Sequence, residues 1–439
     1  MMIIRKLVFV FFCISFFTFS VFAQGLAAME PAGAWQVKVA YNGVTAVLSV
    51  DAPDVMMVKD EKYNSLALFK GPFWRCGTPL ACPKADVCSV CDSLDVTSLV
   101  VRNGPGIAAK SYAIDKDYKI EPRWAGFGRI DGSSISADQP VYASYRYVMR
   151  RIDSVIFTSG KQLVLRKGVP HVATPRVPQL MAGETLAGNV WISGWMKSIT
   201  PVNLFPVLET AYPEHSLSGS TVAERLLPET LVKLRNGSPV KILAWGDSVT
   251  ESVYLPLEKK WQEQFVTRLR KRFPKANIEM LTEGWNGRTT TAFRNEPPGS
   301  PRNYADKVLA LKPDLIISEF INDASMNEAA VQKNYGAILN DFNAIGAEWI
   351  ILTPHYSRPD WMGLKSERDI DDDPRPYVKG LRLFGEKNNV AVADASLRWG
   401  RLWRQGIPYT SLLVNNINHP DERGMKIFAD ALMECFPSE

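Results

Sequence analysis

Histidine is scarce in this sequence of 439 residues: His171, His215, His355 and His419 are all there are. Any chemistry that needs an imidazole has few places to sit. A strong excess of one charge is also lacking. The formal balance is +5, and +3 without Arg5 and Lys6, which lie in a leader-like start. That excess is too slight to draw the chain to nucleic acid or to an anionic surface. Beyond the N-terminus no apolar run is long enough to span a bilayer, and no internal repeat or low-complexity tract occurs. A later transmembrane helix and a repeat array are therefore excluded. What is present is an ordinary globular composition, 46% apolar and 22% charged, with enough apolar material for a core. The length favours two domains, with room for a third.

The start, MMIIRKLVFVFFCISFFTFSVFAQG, has a basic pair, Arg5 and Lys6, followed by an apolar stretch from Leu7 to Phe22. Val21 and Ala23 are the small residues of a cleavage site before Gln24. Residues 1–23 are expected to be a secretory signal peptide. The apolar stretch is shorter than the roughly 20 residues a span needs, so cleavage is expected over an uncleaved anchor. The mature protein is then soluble, free of the membrane, and secreted or periplasmic. Cys13 leaves with the signal, Cys76, Cys82, Cys88 and Cys91 cluster, and Cys435 stands alone. The cluster's spacing admits a metal knuckle. An oxidising destination favours two disulfides pinning a loop, in a pairing the sequence leaves open.

Two regions read differently. Residues 24–218 hold short alternating runs broken by Gly, Pro, Asn and Asp, such as WQVKVAYNGVTAVLSV (35–50), VYASYRYVMRR (141–151) and NVWISGWM (189–196). Period-two alternation between frequent turns predicts an all-β, sandwich-like domain, and SVIFTSGKQLVLRKG (154–168) reads as a hairpin turning at Ser159-Gly160-Lys161. Residues 240–439 alternate strands with helices. The strands are VKILAW (240–245), NIEMLT (277–282), DLIISE (314–319), EWIILT (348–353) and VAVAD (390–394). Helical periodicity fills 256–273, 328–346, 376–388 and 421–436. Such alternation means a five-stranded parallel sheet with helices on both faces, and its site lies at the C-terminal ends of the strands. Residues 219–239 read as a linker helix ended by Asn236-Gly237 and Pro239, a strut between domains.

The strand ends carry the chemistry. The first strand runs into Gly246-Asp247-Ser248 at a turn into a helix, where backbone N–H groups point outward. Ser248 there is either a helix cap or an exposed nucleophile. The second strand ends in EGWNGRTTTAF (283–293), where Gly284 and Gly287 let the backbone approach a ligand closely. The third ends in EFINDAS (319–325), with Asn322 a side-chain oxyanion donor or an Asx-turn residue. His419 lies in the last loop, NNINHPDERGMKIF (415–428), and His355 follows the fourth strand. Serine, glycine, asparagine and histidine on successive loops at one sheet edge make up the set that acyl transfer requires.

These blocks resemble those of the SGNH hydrolases, or GDSL esterases, over about 200 residues from position 240. GDSVTES is similar to the first block, WNGRTTT to the second, FIND to the third and NINHP to the last. The resemblance implies a flavodoxin-like three-layer α/β/α domain. It also implies Ser248 as nucleophile, His419 as base, and an oxyanion hole of the Ser248 and Gly287 N–H groups and the Asn322 amide. No metal or organic cofactor is implied. Two positions depart from the pattern. Phe320 stands where the family has glycine, and Asn416 where it has the triad's aspartate. Asn416 can orient the imidazole but brings no full charge, and Asp394 and Asp421 are alternative acids.

The family spans lipases, thioesterases, acyltransferases and carbohydrate esterases, so fold does not decide the substrate. Export, and a preceding β-domain similar in placement to that of polysaccharide deacetylases of this family, imply O-deacetylation of a polysaccharide or oligosaccharide. Asp247, Trp285, Phe320, His355 and Trp361 are expected around the substrate, with Trp245 and Tyr356 as further rings that would stack on sugars. The alternatives are a general acyl esterase or lipase, and a non-catalytic glycan-binding protein on the same fold.

Overall fold

A computed structural model describes residues 26–71, 74–214 and 219–438. The proposed signal peptide and His215 lie outside the described residues. Among the described residues no helix is long and apolar enough to cross a membrane.

The alternating runs of the first half form antiparallel strands, spread over small sheets. The sheet of strands Ala28–Gly33, Gln36–Tyr41 and Val44–Ser49 packs against the four-stranded sheet that contains Arg151–Phe157 and Thr185–Ile192. Val37, Val39, Val155, Val190 and Leu204 fill the space between them. A second layer pair buries Val101, Phe127, Val141 and Tyr145. Gln36–Tyr41 and Val141–Val148 turn alternate residues into these cores, as period-two patterning dictates, whereas Arg151–Phe157 is buried on both faces. The hairpin expected at 159–161 is present, with Leu163–Arg166 paired antiparallel to Arg151–Phe157.

The second half is a five-stranded parallel sheet in the order Asn277–Gly284, Pro239–Gly246, Leu315–Glu319, Glu348–Leu352, Ala391–Ala393. Ile242 and Ala244 face one side, packed with Phe265 of helix Trp261–Arg272 and Leu432 of helix Glu422–Glu434. Leu243 and Trp245 face the other, packed with Val331 and Phe342 of helix Glu328–Ile345 and Leu381 of helix Pro376–Asn388. Both faces are covered, so the strands read as continuous apolar runs.

The linker departs from expectation. It makes two helices, Val222–Leu226 and Pro228–Asn236, broken where Pro228 starts the second. Ala223, Leu227, Leu231 and Leu234 are buried in the core of the C-terminal domain. The segment is part of that domain's packing rather than a strut. The Glu348 carboxylate accepts from Glu229 N and Thr230 N at 2.9 and 2.8 Å, satisfying N–H groups that a helix start leaves open.

The two halves share a polar interface. Asn189 Nδ2 donates to Gly406 O at 2.7 Å, Trp191 Nε1 to Glu367 at 3.1 Å, and Arg123 pairs with Asp360 at 3.1 Å. Near the last loop of the C-terminal domain, Cys88, Cys91 and Trp124 of the first half pack with Ile417 of the second.

Candidate active site

Gly246 ends the first strand in close contact on both sides. A Cβ there would meet Thr250 Oγ1 at 2.1 Å and Glu319 O at 2.4 Å, so only glycine fits. Asp247 then caps the short helix Ser248–Glu251, accepting from Val249 N at 3.0 Å. The N-cap is therefore Asp247, which frees the Ser248 side chain. Ser248 Oγ lies 3.2 Å from His419 Nε2.

His419 is held on three sides. Its Nδ1 lies 2.6 Å from Asp86 Oδ2, a carboxylate of the N-terminal domain. Its ring stacks on Tyr254, with centroids 4.5 Å apart and planes 5° off parallel. Its backbone N–H donates to Asn415 Oδ1 at 3.0 Å, and the same oxygen accepts from Ile417 N and Asn418 N. An ionised carboxylate only accepts hydrogen bonds, so Nδ1 carries the ring proton. Nε2 of the neutral ring is then the acceptor facing Ser248.

Asn416 does not orient the imidazole. Its Oδ1 accepts from Arg150 NH2 at 2.9 Å, and the residue is buried with φ of +55°. That left-handed backbone, common for asparagine, turns the side chain toward the N-terminal domain. The alternative acids are engaged elsewhere. Asp394 caps helix Ala395–Gly400 and pairs with Arg382. Asp421 caps helix Glu422–Glu434 and pairs with Arg423.

The third block is tied to the first. Asp247 Oδ2 accepts from Asn322 N and from Asn322 Nδ2, both at 2.9 Å. The second block is tied to the third, since Asp323 accepts from Thr290 N at 3.1 Å, Thr290 Oγ1 at 2.6 Å and Tyr335 OH at 3.2 Å. Burial pushes the Asp247 carboxyl up to about 7, against the opposing pull of its backbone donors. Burial also raises Asp323 to about 6 and Glu319 well above the carboxylate range. Glu319, fully buried beside Asp247, is raised further by that neighbour's charge. Gly284 packs its backbone against Glu251, whereas Gly287 has φ of +70° and open space where a Cβ would stand.

Some residues expected around the substrate belong to the core instead. Phe320 is buried edge-on against Trp245, 4.7 Å between centroids, and both rings sit under the helices of the second face. His355 is fully buried against Trp399 and Phe428. Tyr356 is fully buried as well. These rings cannot stack on a sugar, because the apolar space behind the strand ends already holds them. Trp285 remains half-buried with Arg288 over its face at 4.3 Å, and Trp361 is 48% exposed. Among the described residues no group of three His, Cys, Asp or Glu side chains could hold a metal ion.

The four clustered cysteines form no disulfide among the described residues. Their sulfurs make other contacts. Cys88 Sγ lies 3.4 Å from Asn415 O, Cys91 Sγ 3.1 Å from Asp92 Oδ2, and Cys82 Sγ 3.2 Å from Glu61 Oε1. Cys76 Sγ packs where a Cβ on Gly126 would stand.

Two residues of this site escaped the sequence reading, Asp86 and Tyr254. Neither lies in a block of recognisable spacing. The one local signal for Asp86 is an acid between Cys82 and Cys88.

A serine facing a histidine at the strand ends of a parallel three-layer domain is an arrangement that can activate the serine for acyl transfer. Residues 244–427 match the model of the GDSL-like lipase/acylhydrolase family. No curated protein matches the chain. The chain is similar in structure to a mutant of Axe2, an acetyl-xylooligosaccharide esterase from Geobacillus Stearmophilus. That match has 18% identity, covers 45% of this chain and 93% of that one, and has a TM-score of 0.36. It is also similar to a two-domain esterase, CEX, active on acetylated mannans, at 15% identity over 48% of this chain and 53% of that one, TM-score 0.39. The acetyl xylan esterase AlAXEase is a third, at 18% identity over 44% of this chain and 98% of that one, TM-score 0.35.

Proposed function

We propose that the protein is an exported serine esterase that removes O-acetyl groups from a polysaccharide or oligosaccharide. The observation that carries the reading is Ser248 Oγ at 3.2 Å from His419 Nε2, on adjacent loops at the strand C-termini. His419 Nε2 accepts the Ser248 proton as Oγ bonds to the ester carbonyl carbon. The oxyanion is met by the N–H groups of Ser248 and Gly287 and by the amide of Asn322. An amide NH2 has two hydrogens; Asp247 takes one from Asn322, leaving one for the substrate. His419 gives its proton to the leaving sugar hydroxyl. Water, deprotonated by the same nitrogen, then releases acetate from Ser248. The glycan substrate is supported by the leader-like N-terminus and by Trp285 and Trp361, aromatic rings not closed into the core. The non-catalytic alternative rested on Asn416 and loses that ground, since a carboxylate bonds the imidazole.

The test is acetate release from a panel of acetylated polysaccharides, with p-nitrophenyl acetate as a simple ester and Ser248→Ala as control. Wild type is expected to release acetate, and the variant to lose roughly 10⁴-fold or more in kcat. If wild type is as inactive as Ser248→Ala on every substrate, the esterase reading fails. If long-chain esters are cut far faster than acetyl groups, the deacetylase reading gives way to a general acyl esterase.

A further inference from the structure

We propose that Asp86, on a hairpin of the N-terminal domain, is the positioning acid for His419, so that the reactive centre is completed across the domain boundary. The inference rests on Ser248 and His419 being nucleophile and base. Its first support is direct geometry. Asp86 Oδ2 meets the ring nitrogen opposite the one that faces Ser248, at 2.6 Å, and the side chains are only 17% and 12% exposed. A base oriented by a third group through its far nitrogen is the arrangement that general-base activation of serine uses.

Its second support is elimination on the structure. Asn416, at the position the family resemblance assigns to the acid, is bonded to Arg150. Asp394 and Asp421 are held by Arg382 and Arg423. Among the described residues, Asp86 is the carboxylate that bonds the imidazole.

Its third support is how the hairpin is built. Lys84 pairs with Ser89 and Ala85 with Cys88, leaving a two-residue loop, Asp86-Val87. Asp86 has φ of +53°, the left-handed region that costs most residues about 1–2 kcal/mol and that aspartate tolerates better than others. Such a conformation persists only where the surroundings fix it. Here they do. Cys88 Sγ, buried, donates to the carbonyl of Asn415 at 3.4 Å, four residues before His419. Arg150 NH2 donates both to Cys91 O at 3.0 Å and to Asn416 Oδ1 at 2.9 Å. Val90 N donates to Pro83 O at 2.8 Å and closes the base of the hairpin. The hairpin is thus anchored to the histidine loop on its return strand and just beyond it, and Asp86 is held against the ring between those anchors and Tyr254.

In the reaction the Ser248 proton moves to Nε2 as the Oγ–carbon bond forms. The proton on Nδ1 stays there, bonded to the Asp86 carboxylate, which stabilises the cation without being protonated. The bond therefore strengthens as the transition state is reached, and it contributes to kcat rather than to substrate binding.

The test uses full-length protein and p-nitrophenyl acetate. Asp86→Asn is expected to lower kcat by roughly 10²–10⁴-fold with KM within about 3-fold of wild type, because the amide also favours the wrong tautomer. Asp86→Glu is expected to recover at least about tenfold over Asp86→Asn, because it restores the carboxylate. A merely structural role would move Tm and KM and would not distinguish the two. If Asp86→Asn keeps wild-type kcat while Ser248→Ala is inactive, the proposal is overturned and the esterase reading stands. If wild type itself is inactive, the esterase reading falls first. Should Asp86→Asn lower Tm by more than a few degrees, Asp86→Glu decides: recovery of kcat supports the proposal, and activity no higher than the amide variant overturns it.

Discussion

Arg150 and Asn416 form a hydrogen bond between the two domains, guanidinium NH2 to side-chain oxygen at 2.9 Å. Both residues are buried, at 6% and 2% exposure. Burial makes the charged guanidinium costly and lowers its proton affinity, so its partners matter. Those partners are neutral oxygens, of Asn416 and of Cys91. Asn416 is therefore a strut between the domains, at the very position where the family pattern expects the triad acid.

This leads to a counter-intuitive expectation for Asn416→Asp, which restores the family residue. The new carboxylate faces Arg150, not the imidazole, and aspartate tolerates the φ of +55°. Asn416→Asp is expected not to rescue Asp86→Asn: the double variant stays within about 3-fold of the single one in kcat, because the two side chains bond different partners. Steady-state kinetics on the two single variants and the double variant checks this. Recovery of tenfold or more would mean that position 416 reaches His419.

The pH dependence of stability follows from the carboxyls behind Ser248. Burial holds Asp247 near 7 and Asp323 near 6, from an ordinary 3.8, and raises Glu319 as well. In the folded state these groups keep protons that the unfolded chain has already released. The unfolded state therefore binds fewer protons between about pH 4 and pH 7, and stability falls as pH rises through that window. Carboxylates depressed by ion pairs act below it, such as Glu422, held at about 2 by Lys259 and Arg176. Asp323→Asn removes one of the raised groups. Its oxygen still accepts from Thr290 N, and its NH2 faces the Thr290 and Tyr335 hydroxyls, which can turn to accept. Wild-type Tm is expected to decline from about pH 5 to about pH 7.5. In Asp323→Asn the decline is shallower, by a difference on the order of 1–3 kcal/mol. Parallel melting curves across that range would contradict the assignment.

Much of the catalytic domain was legible because its signals are local. VKILAW became Pro239–Gly246, and each apolar run marked a strand whose end could be inspected for side chains. Ser248 and His419 fell out of that inspection, since a strand end and the loop before the last helix are both visible in the chain. Phe320 was misjudged for the opposite reason. Whether a ring at a strand end faces solvent or Trp245 depends on the layer packed behind it. Pro228 is the local sign in the sequence that the linker helix breaks. Asp86 was out of reach, because its bond to His419 joins residues 333 positions apart and only the docking of two domains creates it.

The cysteines offer a direct check on how the Asp86 hairpin is held. Four clustered cysteines behind a leader-like start invite disulfides, yet the sulfurs make other contacts. Burial pushes the Cys88 thiol up to about 12, the Cys91 thiol to about 11 and the Cys435 thiol to about 12. Since the thiolate is the reactive form, all three are inert twice over, by access and by protonation. Cys82 is exposed, and its thiol is raised by partial burial and by the Glu61 carboxylate beside it. Ellman's reagent at pH 8 is therefore expected to label Cys82 alone in native protein, and slowly. In guanidinium it is expected to label Cys76, Cys82, Cys88, Cys91 and Cys435 together. Labelling of Cys435 alone after unfolding would mean that the cluster is disulfide-bonded. The same experiment bears on catalysis. Cys82 lies outside the contact between Cys88 and Asn415, so native labelling is expected to leave kcat unchanged. Cys88→Ala removes that contact, loosens the hairpin that carries Asp86, and is expected to lower kcat by about tenfold or more, because a base held slightly out of line loses much of its effect.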